Sequence, residues 1–176
     1  MVRPERAAAE ALARKRLVEG RTGSQGYFDR GHTMSVKQIS ITLDNTPGQF
    51  LSVSEFLGNE GINIRAISVA DTSDVSTVRF VTDDPQKTVN VLQSHGYTVR
   101  VKDVLAVEIP DHPGALQAVL KPLRESSINV LYLYTFLGRG ASGQPIVIMG
   151  VDRAEDAVEV LKKNWVTTFG NEIYAL

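Results

Sequence analysis

The sequence predicts an α+β fold made of two ferredoxin-like β-α-β-β-α-β sandwiches, each an antiparallel sheet with helices on one face. Two observations predict it. The second half of the sequence matches the first half at a nearly constant residue offset, so the chain contains two copies of one pattern. Within each copy, the apolar residues recur every second residue in some segments and at helical spacing in others. Each copy has about 70 residues, which is small for an independent core, so we expect the copies to pair side by side.

The repeat consists of two collinear blocks of matching residues. The first block matches at a shift of 66 residues and the second at a shift of 69, so a single three-residue insertion separates them. The match includes two Pro-Gly turns, at residues 45–48 and 111–114. The repeat therefore divides the chain into an N-terminal extension, a first domain and a second domain, at residues 1–33, 34–101 and 102–176.

Periodicity and turn residues place the first strand and helix of each copy. Every second residue is a large apolar one at 39–43 and at 105–109, which is typical of a strand buried on one face. Pro47 and Pro113 suit the first position of a helix, so we expect a helix to begin at each of them. Pro122 lies inside the second of these helices and is expected to kink it.

The remainder of each copy is predicted as strand, strand, helix and strand. Asp83 and Asp152 precede helical spacing and are predicted to be N-caps. The second strands of the two copies are predicted at 64–70 and 130–136, and the third strands at 77–82 and 146–151. The fourth strands are predicted at 97–101 and 172–176.

Residues 1–33 differ in composition from the repeats. They contain seven basic and four acidic residues, whereas residues 34–176 contain 12 basic and 16 acidic ones. The segment is expected to be helical or disordered, and its acidic residues argue against a targeting peptide. We interpret it as a non-native or over-extended start, with Met34 as the biological first residue, and a basic arm is the alternative.

The composition excludes several classes of protein. The net charge of -1 removes the expectation of nucleic-acid or anionic-membrane binding that a basic chain would carry. The absence of cysteine excludes disulfides, thiolate metal sites and a cysteine nucleophile. No apolar run approaches the ~18 residues that a membrane helix needs, and a cytoplasmic location is expected.

The two Pro-Gly turns are the main indication of a ligand-binding site in the sequence. Each lies between a strand and a helix, where unpaired N–H groups and the helix dipole attract a carboxylate or a phosphate. Gly48 and Gly114 lack a Cβ and let a ligand approach the backbone. Asn63 and Asn129 enter the second strands, and their amides suit a zwitterionic amino acid because they both donate and accept. Alternatively, the Pro-Gly pairs only make the turns and the Asn residues cap local backbone.

An Asn-x-Pro-Gly turn after a first strand, followed by Gly-Ile-Asn-Ile at 61–64, resembles the ACT domain, the small-molecule-sensing module of amino-acid metabolism. The resemblance covers nearly all of residues 36–176 and is closest to stand-alone tandem ACT proteins. It implies an amino acid bound between two ACT domains that pack through their second strands. By motif it implies that Asn45, Asn63 and Asn129 hold the ligand. Together with the residues of the two turns, the predicted ligand-binding residues are Asn45, Thr46, Pro47, Gly48, Asn63, Asp111, His112, Pro113, Gly114 and Asn129.

The two implied sites are not expected to be equivalent. Asp111 stands where the first copy has Asn45, and a carboxylate can pair with an ammonium group but cannot donate to a carboxylate. In serine-inhibited phosphoglycerate dehydrogenases of this family a histidine precedes the turn by two residues. Here Leu43 and Ile109 occupy those places, so serine is not the expected ligand.

Other patterns have simpler explanations than catalysis or nucleotide binding. Residues 138–143 fit G-x-G-x-x-G, but Pro145 and an apolar β-rich run follow instead of a helix, which predicts a loop. His112 has no nucleophile or paired carboxylate beside it, so a turn role is predicted. Tyr132 and Tyr134 share one side of a strand and predict core or inter-domain contacts rather than a platform for RNA bases.

The sequence therefore predicts a non-catalytic regulatory protein that senses a small amino acid, uses no cofactor or metal, and forms a homodimer. Its signal would need a partner, such as an enzyme of amino-acid metabolism, that responds to the domain arrangement. The alternative is a ligand-free interaction module that assembles through its sheet edges. No nucleic-acid or membrane partner is expected.

Overall fold

The computed structural model describes residues 35–72, 74–140 and 142–176. The extension predicted at residues 1–33 and the start proposed at Met34 lie outside the described residues. The described residues belong to one compact unit. Within them, no helix is long and apolar enough to cross a membrane.

The described elements follow the predicted β-α-β-β-α-β order twice, with one strand shared between the copies. The first repeat contains β1 (Val36–Asp44), α1 (Gln49–Asn59), β2 (Ile64–Thr72), β3 (Val75–Thr82) and α2 (Pro85–Ser94). The strand β4 (Arg100–Glu108) follows. The second repeat continues with α3 (Ala115–Glu125), β5 (Val130–Arg139), β6 (Pro145–Val151), α4 (Ala154–Lys163), β7 (Thr168–Phe169) and a 3-10 helix (Asn171–Ala175). The predicted α+β class with antiparallel pairing is confirmed.

The shared strand β4 corrects two predicted strands. Its first half pairs with β1, where Val101 is opposite Ile39, and its second half pairs with β6, where Val107 is opposite Val147. The strands predicted at 97–101 and 105–109 are therefore one strand, because the intervening Lys-Asp-Val contains no residue that ends a strand. The domain boundary predicted between residues 101 and 102 falls inside it.

The strand predicted at 172–176 is wrong, because these residues lie in and just after the 3-10 helix. The last strand is β7, whose Phe169 is opposite Ala106 of β4. Ile173 is fully buried among residues of the sheet interior, and a helical turn brings it there. The Tyr174 hydroxyl accepts a hydrogen bond from the Lys37 N–H at 2.7 Å, and burial raises the pKa of Tyr174 to about 12.

The helix starts also differ slightly from the prediction. The first helices begin two residues after the prolines, because Gly48 and Gly114 are left-handed, with φ of 91° and 86°, and act as N-caps. The N-cap of α2 is Asp84, whose side chain accepts from the Lys87 N–H, rather than Asp83. The N-cap of α4 is likewise one residue beyond Asp152.

The strands close into a ring in the order β1-β3-β2-β5-β6-β4, and β4 pairs with β1 again. The second strands of the two repeats, β2 and β5, run antiparallel, with Ala66 opposite Phe136. In the second repeat, Leu105 and Met149 pack with α3 and α4 outside the ring. The residues next to them on their strands, Val104, Ala106 and Ile148, face inward. They form a second core with inward-facing residues of other positions, which include Ala66, Tyr134, Phe136 and Ile146. The sheet is therefore a closed barrel with helices outside and an apolar interior.

One polar network lies inside this barrel. Gln38 is only 1% exposed, and its Oε1 accepts a hydrogen bond from the Tyr134 hydroxyl at 2.9 Å. Its Nε2 donates to the Tyr132 hydroxyl at 3.0 Å and to the Ser40 Oγ at 3.2 Å. Burial raises the pKa of Tyr134 far above its ordinary value. The network provides hydrogen-bond partners for the buried Gln38 amide. It connects the stacked rings of Tyr132 and Tyr134, whose centroids lie 6.4 Å apart.

Candidate functional site

The predicted Pro-Gly turns have the same geometry in both repeats. Gly48 and Gly114 begin α1 and α3, and neither helix has a side-chain cap or an acidic residue in its first turn. The helix α2 differs, because Asp84 caps it. The first N–H of each helix donates within the turn, from Gln49 to the Thr46 carbonyl oxygen at 3.4 Å and from Ala115 to the His112 carbonyl oxygen at 3.2 Å. The next backbone N–H groups have no side-chain cap, and they can donate to an anion.

Each turn is attached to the following hairpin of its own repeat. The Asn45 N–H donates to the Asp74 carbonyl oxygen of the β2–β3 hairpin at 3.1 Å. The Asp111 N–H donates to the Gln144 Oε1 of the β5–β6 hairpin at 3.3 Å. Both turns are exposed, so these hydrogen bonds fix the positions of the turns and leave them accessible to solvent.

The predicted Asn residues are held by their backbone and have free side chains. The Asn63 N–H donates to the Asp83 carboxylate at 2.9 Å, and the Asp83 N–H donates to the Asn63 carbonyl oxygen at 3.1 Å. Asn129 and Asp152 make the same reciprocal pair, at 3.1 Å in both directions. This is the role of the two aspartates that were predicted to be N-caps. Across the described ranges, the exposed Asn63 and Asn129 side chains make no hydrogen bond.

The antiparallel pairing of β2 with β5 decides which of these groups are neighbours. Asn129 precedes β5 and so lies toward the end of β2, where the β2–β3 hairpin holds the Asn45 turn. Asn63 precedes β2 and lies toward the end of β5, where the β5–β6 hairpin holds the Asp111 turn. Each turn therefore shares one end of the sheet with the Asn of the other repeat.

A cleft of about 350 Å³ lies beside Asn129. It is formed by Arg124 at the end of α3, by Ser127 in the segment that follows, and by Val130 at the start of β5. Sequence reasoning did not single out Arg124, and the only signal for it is its place about one helical turn before Asn129. An exposed guanidinium beside the amide adds a second group that can hold a carboxylate.

The other patterns noted in the sequence have structural roles. The G-x-G-x-x-G segment is the β5–β6 hairpin, in which the Arg139 Nη1 donates to the Gly143 carbonyl oxygen at 2.9 Å. The His112 Nδ1 lies 3.0 Å from the Pro113 carbonyl oxygen, within the turn. In the described ranges there is no group of three or more His, Cys, Asp or Glu side chains that could hold a metal ion.

Comparison with known protein families identifies one family that matches this chain. The sequence profile of the ACT domain pair matches residues 34–173. Protein BT0572 from Bacteroides thetaiotaomicron is a solved structure with 30% identity and a TM-score of 0.75, and the match covers 81% of this chain and 98% of that chain. The ligand-free regulatory subunit of aspartate kinase from Thermus thermophilus has 15% identity and a TM-score of 0.54, covering 76% of this chain and 94% of that chain. No curated protein matches the sequence at a significant level.

These similarities extend over both repeats. The matched residues 34–173 contain both Pro-Gly turns, both Asn residues and the shared strand β4. The likeness to the aspartate kinase subunit, at low identity, is a likeness of fold. The chain therefore belongs to the ACT domain family, with an ACT domain pair over residues 34–173.

Proposed function

We propose that this protein is a cytoplasmic, non-catalytic regulator that binds a small amino acid where its two ACT domains meet. One observation carries the proposal. In both repeats, a helix that begins at a left-handed glycine without a side-chain cap lies toward the same end of the sheet as an Asn of the other repeat. The side chain of that Asn makes no hydrogen bond within the part of the chain that the structure describes. The helix end attracts the carboxylate of an amino acid, and the Asn amide can bind its ammonium group.

The two sites combine residues across the repeats. In the first, the carboxylate lies at the Gly48 amide end of α1, and Asn45 and Asn129 bind the remainder of the amino acid. In the second, Gly114 takes the place of Gly48, and Asp111 and Asn63 lie nearby. Because Asp111 pairs with an ammonium group and cannot donate to a carboxylate, the two sites should differ in affinity.

Regulation would follow from the position of the sites between the domains. A ligand that contacts both repeats stabilises one arrangement of them, and a partner that binds that arrangement receives the signal. The fold likeness to a regulatory subunit of aspartate kinase supports an enzyme of amino-acid metabolism as the class of partner. On this proposal the protein is an effector-binding subunit.

Calorimetric titration of the twenty amino acids is expected to give binding by at least one of them. Asn129→Ala should weaken that binding by roughly tenfold or more, because a hydrogen bond to a charged group is lost. The matched control is Asn59→Ala at the exposed end of α1, which should leave the affinity unchanged. Asn63→Ala reports on the second site in the same way.

Two results would contradict this proposal. If folded protein binds none of the twenty amino acids, the ligand-free interaction module becomes the better explanation. If Asn59→Ala weakens binding as much as Asn129→Ala does, the ligand lies elsewhere on the protein.

We further propose that the protein is a homodimer that associates through the outer face of β5. Leu131, Leu133 and Leu137 face away from the barrel interior and are 50%, 42% and 69% exposed. Val69 of the neighbouring strand β2 is 54% exposed. In the described ranges the ring closure leaves the two-residue β7 as the sheet edge, so association would use this apolar face rather than an edge.

Sedimentation equilibrium tests the dimer. Leu133→Glu is expected to raise the dimer dissociation constant by roughly tenfold or more, because a carboxylate replaces an apolar contact in the interface. The control is Trp165→Glu, an equally drastic change at a residue that is 96% exposed after α4. A monomeric wild-type protein, or dissociation only in the Trp165 variant, would contradict the proposed face.

A further inference from the structure

The inner face of the sheet changes from apolar to cationic toward one end of the barrel. On β4, Val104 is fully buried, whereas Lys102 and Arg100, on the same face, are exposed. On β3, Val81 is fully buried and Arg79 is two residues away on the same face. We call this end, with Ser40, Arg79, Arg100, Lys102 and Tyr132, the barrel mouth.

Ser40 lies at the centre of the barrel mouth. The strand β1 runs between β3 and β4, and Ser40 is opposite Arg79 on one side and opposite Arg100 on the other. Lys102 is opposite Gln38, two residues away on β1. Because opposed residues of paired strands lie on the same face, about 5 Å apart, the side chains of Arg79 and Arg100 start on either side of Ser40, and Lys102 starts next to Arg100 on the same face.

The Tyr132 ring forms a second wall of the barrel mouth. The Arg79 Cζ lies 4.7 Å and the Lys102 Nζ 5.7 Å from the ring centroid. A ring face attracts cations without neutralising their charge. The hydroxyls of Tyr132 and Ser40 both accept hydrogen bonds from the buried Gln38 amide, which positions them from inside the barrel.

Nothing described in the protein neutralises the three cations. The ion pairs of the described residues involve other cations, namely Lys37, Lys87, Lys121, Arg153 and Lys163. Within the same ranges, the side chains of Arg79, Arg100 and Lys102 donate no hydrogen bond to another residue. The cluster is not a result of a basic composition, since residues 34–176 contain 16 acidic and 12 basic residues. Clustered like charges repel, and a bound anion removes that cost.

We propose that the barrel mouth binds the phosphate group of a small metabolite. The guanidinium groups of Arg79 and Arg100 match the phosphate oxygens on two sides, Lys102 adds a third positive charge, and the Ser40 hydroxyl donates from the centre. A phosphate monoester carries close to two negative charges at neutral pH, which suits three cations better than a single carboxylate does. The side chains lie on the face of the sheet opposite the helices, and none of them belongs to the residues of the proposed amino-acid sites.

Titration with inorganic phosphate at constant ionic strength, followed by calorimetry and by the backbone amide signal of Ser40, tests the proposal. Saturable binding is expected, and the double variant R100Q/K102Q should weaken it by roughly tenfold or more. Both substituted side chains are exposed, so the fold should persist. The matched control is K162Q/K163Q, which removes two positive charges at the end of α4 and should leave the affinity unchanged.

Glycerol 3-phosphate distinguishes the source of the phosphate group. If it binds more tightly than inorganic phosphate and shifts the same Ser40 signal, the occupant is a phosphomonoester, and the reverse order indicates free phosphate. Absence of saturable phosphate binding, or equal weakening in K162Q/K163Q, would overturn the proposal. Phosphate bound at the uncapped ends of α1 and α3 would be unaffected by R100Q/K102Q, so this variant and the Ser40 signal distinguish the barrel mouth from the amino-acid sites.

Discussion

Replacing Gly150 with alanine is expected to destabilise the protein by about 1–3 kcal/mol. Gly150 of β6 is opposite Tyr132 of β5, and a Cβ at this position would overlap the Tyr132 ring, 2.7 Å from its hydroxyl oxygen. The ring would have to leave its place against Tyr134 and give up its hydrogen bond with Gln38. The glycine is therefore required by the side chain across from it.

Chemical denaturation at equilibrium measures this cost. The matched control is Gly58→Ala in α1, where a Cβ has open space and φ is not positive. This change should leave stability unchanged or raise it by up to about 1 kcal/mol. In a Tyr132→Ala background, the cost of Gly150→Ala should disappear. A cost that persists there would show that the backbone, and not the ring, excludes a side chain.

Gln38→Leu is expected to destabilise the protein by a comparable amount, about 1–3 kcal/mol. Gln38 is the buried group that satisfies the Tyr134 hydroxyl, and Tyr134 is itself only 9% exposed. Leucine has a similar volume but accepts no hydrogen bond, so the hydroxyl would remain inside the barrel without its partner. The Tyr132 hydroxyl would lose its bond to the Gln38 Nε2 as well.

A double-mutant cycle with Tyr134→Phe separates the hydrogen bond from the packing. Tyr134→Phe leaves the Gln38 Oε1 without its donor, and Gln38→Leu leaves the Tyr134 hydroxyl without its acceptor, whereas the double variant removes both of these groups. The double variant should therefore be more stable than the sum of the two single costs predicts. Additive costs, measured by the same denaturation experiment, would show that Gln38 and Tyr134 do not depend on each other.

Local sequence signals predicted most of the elements correctly. Alternating apolar residues predicted β1, and the Pro-Gly turn predicted a helix directly after it, because both signals depend on residues that are adjacent in the chain. The errors occurred where a local signal was ambiguous. Asp83 and Asp84 are adjacent and either could cap α2, and only the contact with Asn63 shows that Asp83 has another role.

The residues that we propose to bind ligands show the same contrast between what the sequence predicts and what the tertiary structure adds. The turns and the two Asn residues could be identified from the repeat, and their amino-acid ligand remains a proposal. Their grouping could not be predicted, because it depends on the antiparallel pairing of β2 with β5. The barrel mouth was also missed, since Ser40, Arg79 and Arg100 belong to three strands and no spacing in the sequence connects them.

The sequence by itself determined that the chain contains two copies of one α+β module, where most of their strands and helices lie, and which turns begin the helices. These features follow from periodicity and backbone preferences over a few residues. Only the tertiary structure decided that β4 serves both copies, that the sheet closes into a barrel, and that Asn129 lies toward the turn of the other repeat. These features depend on which strands become neighbours, and strand pairing brings together residues that are distant in the chain.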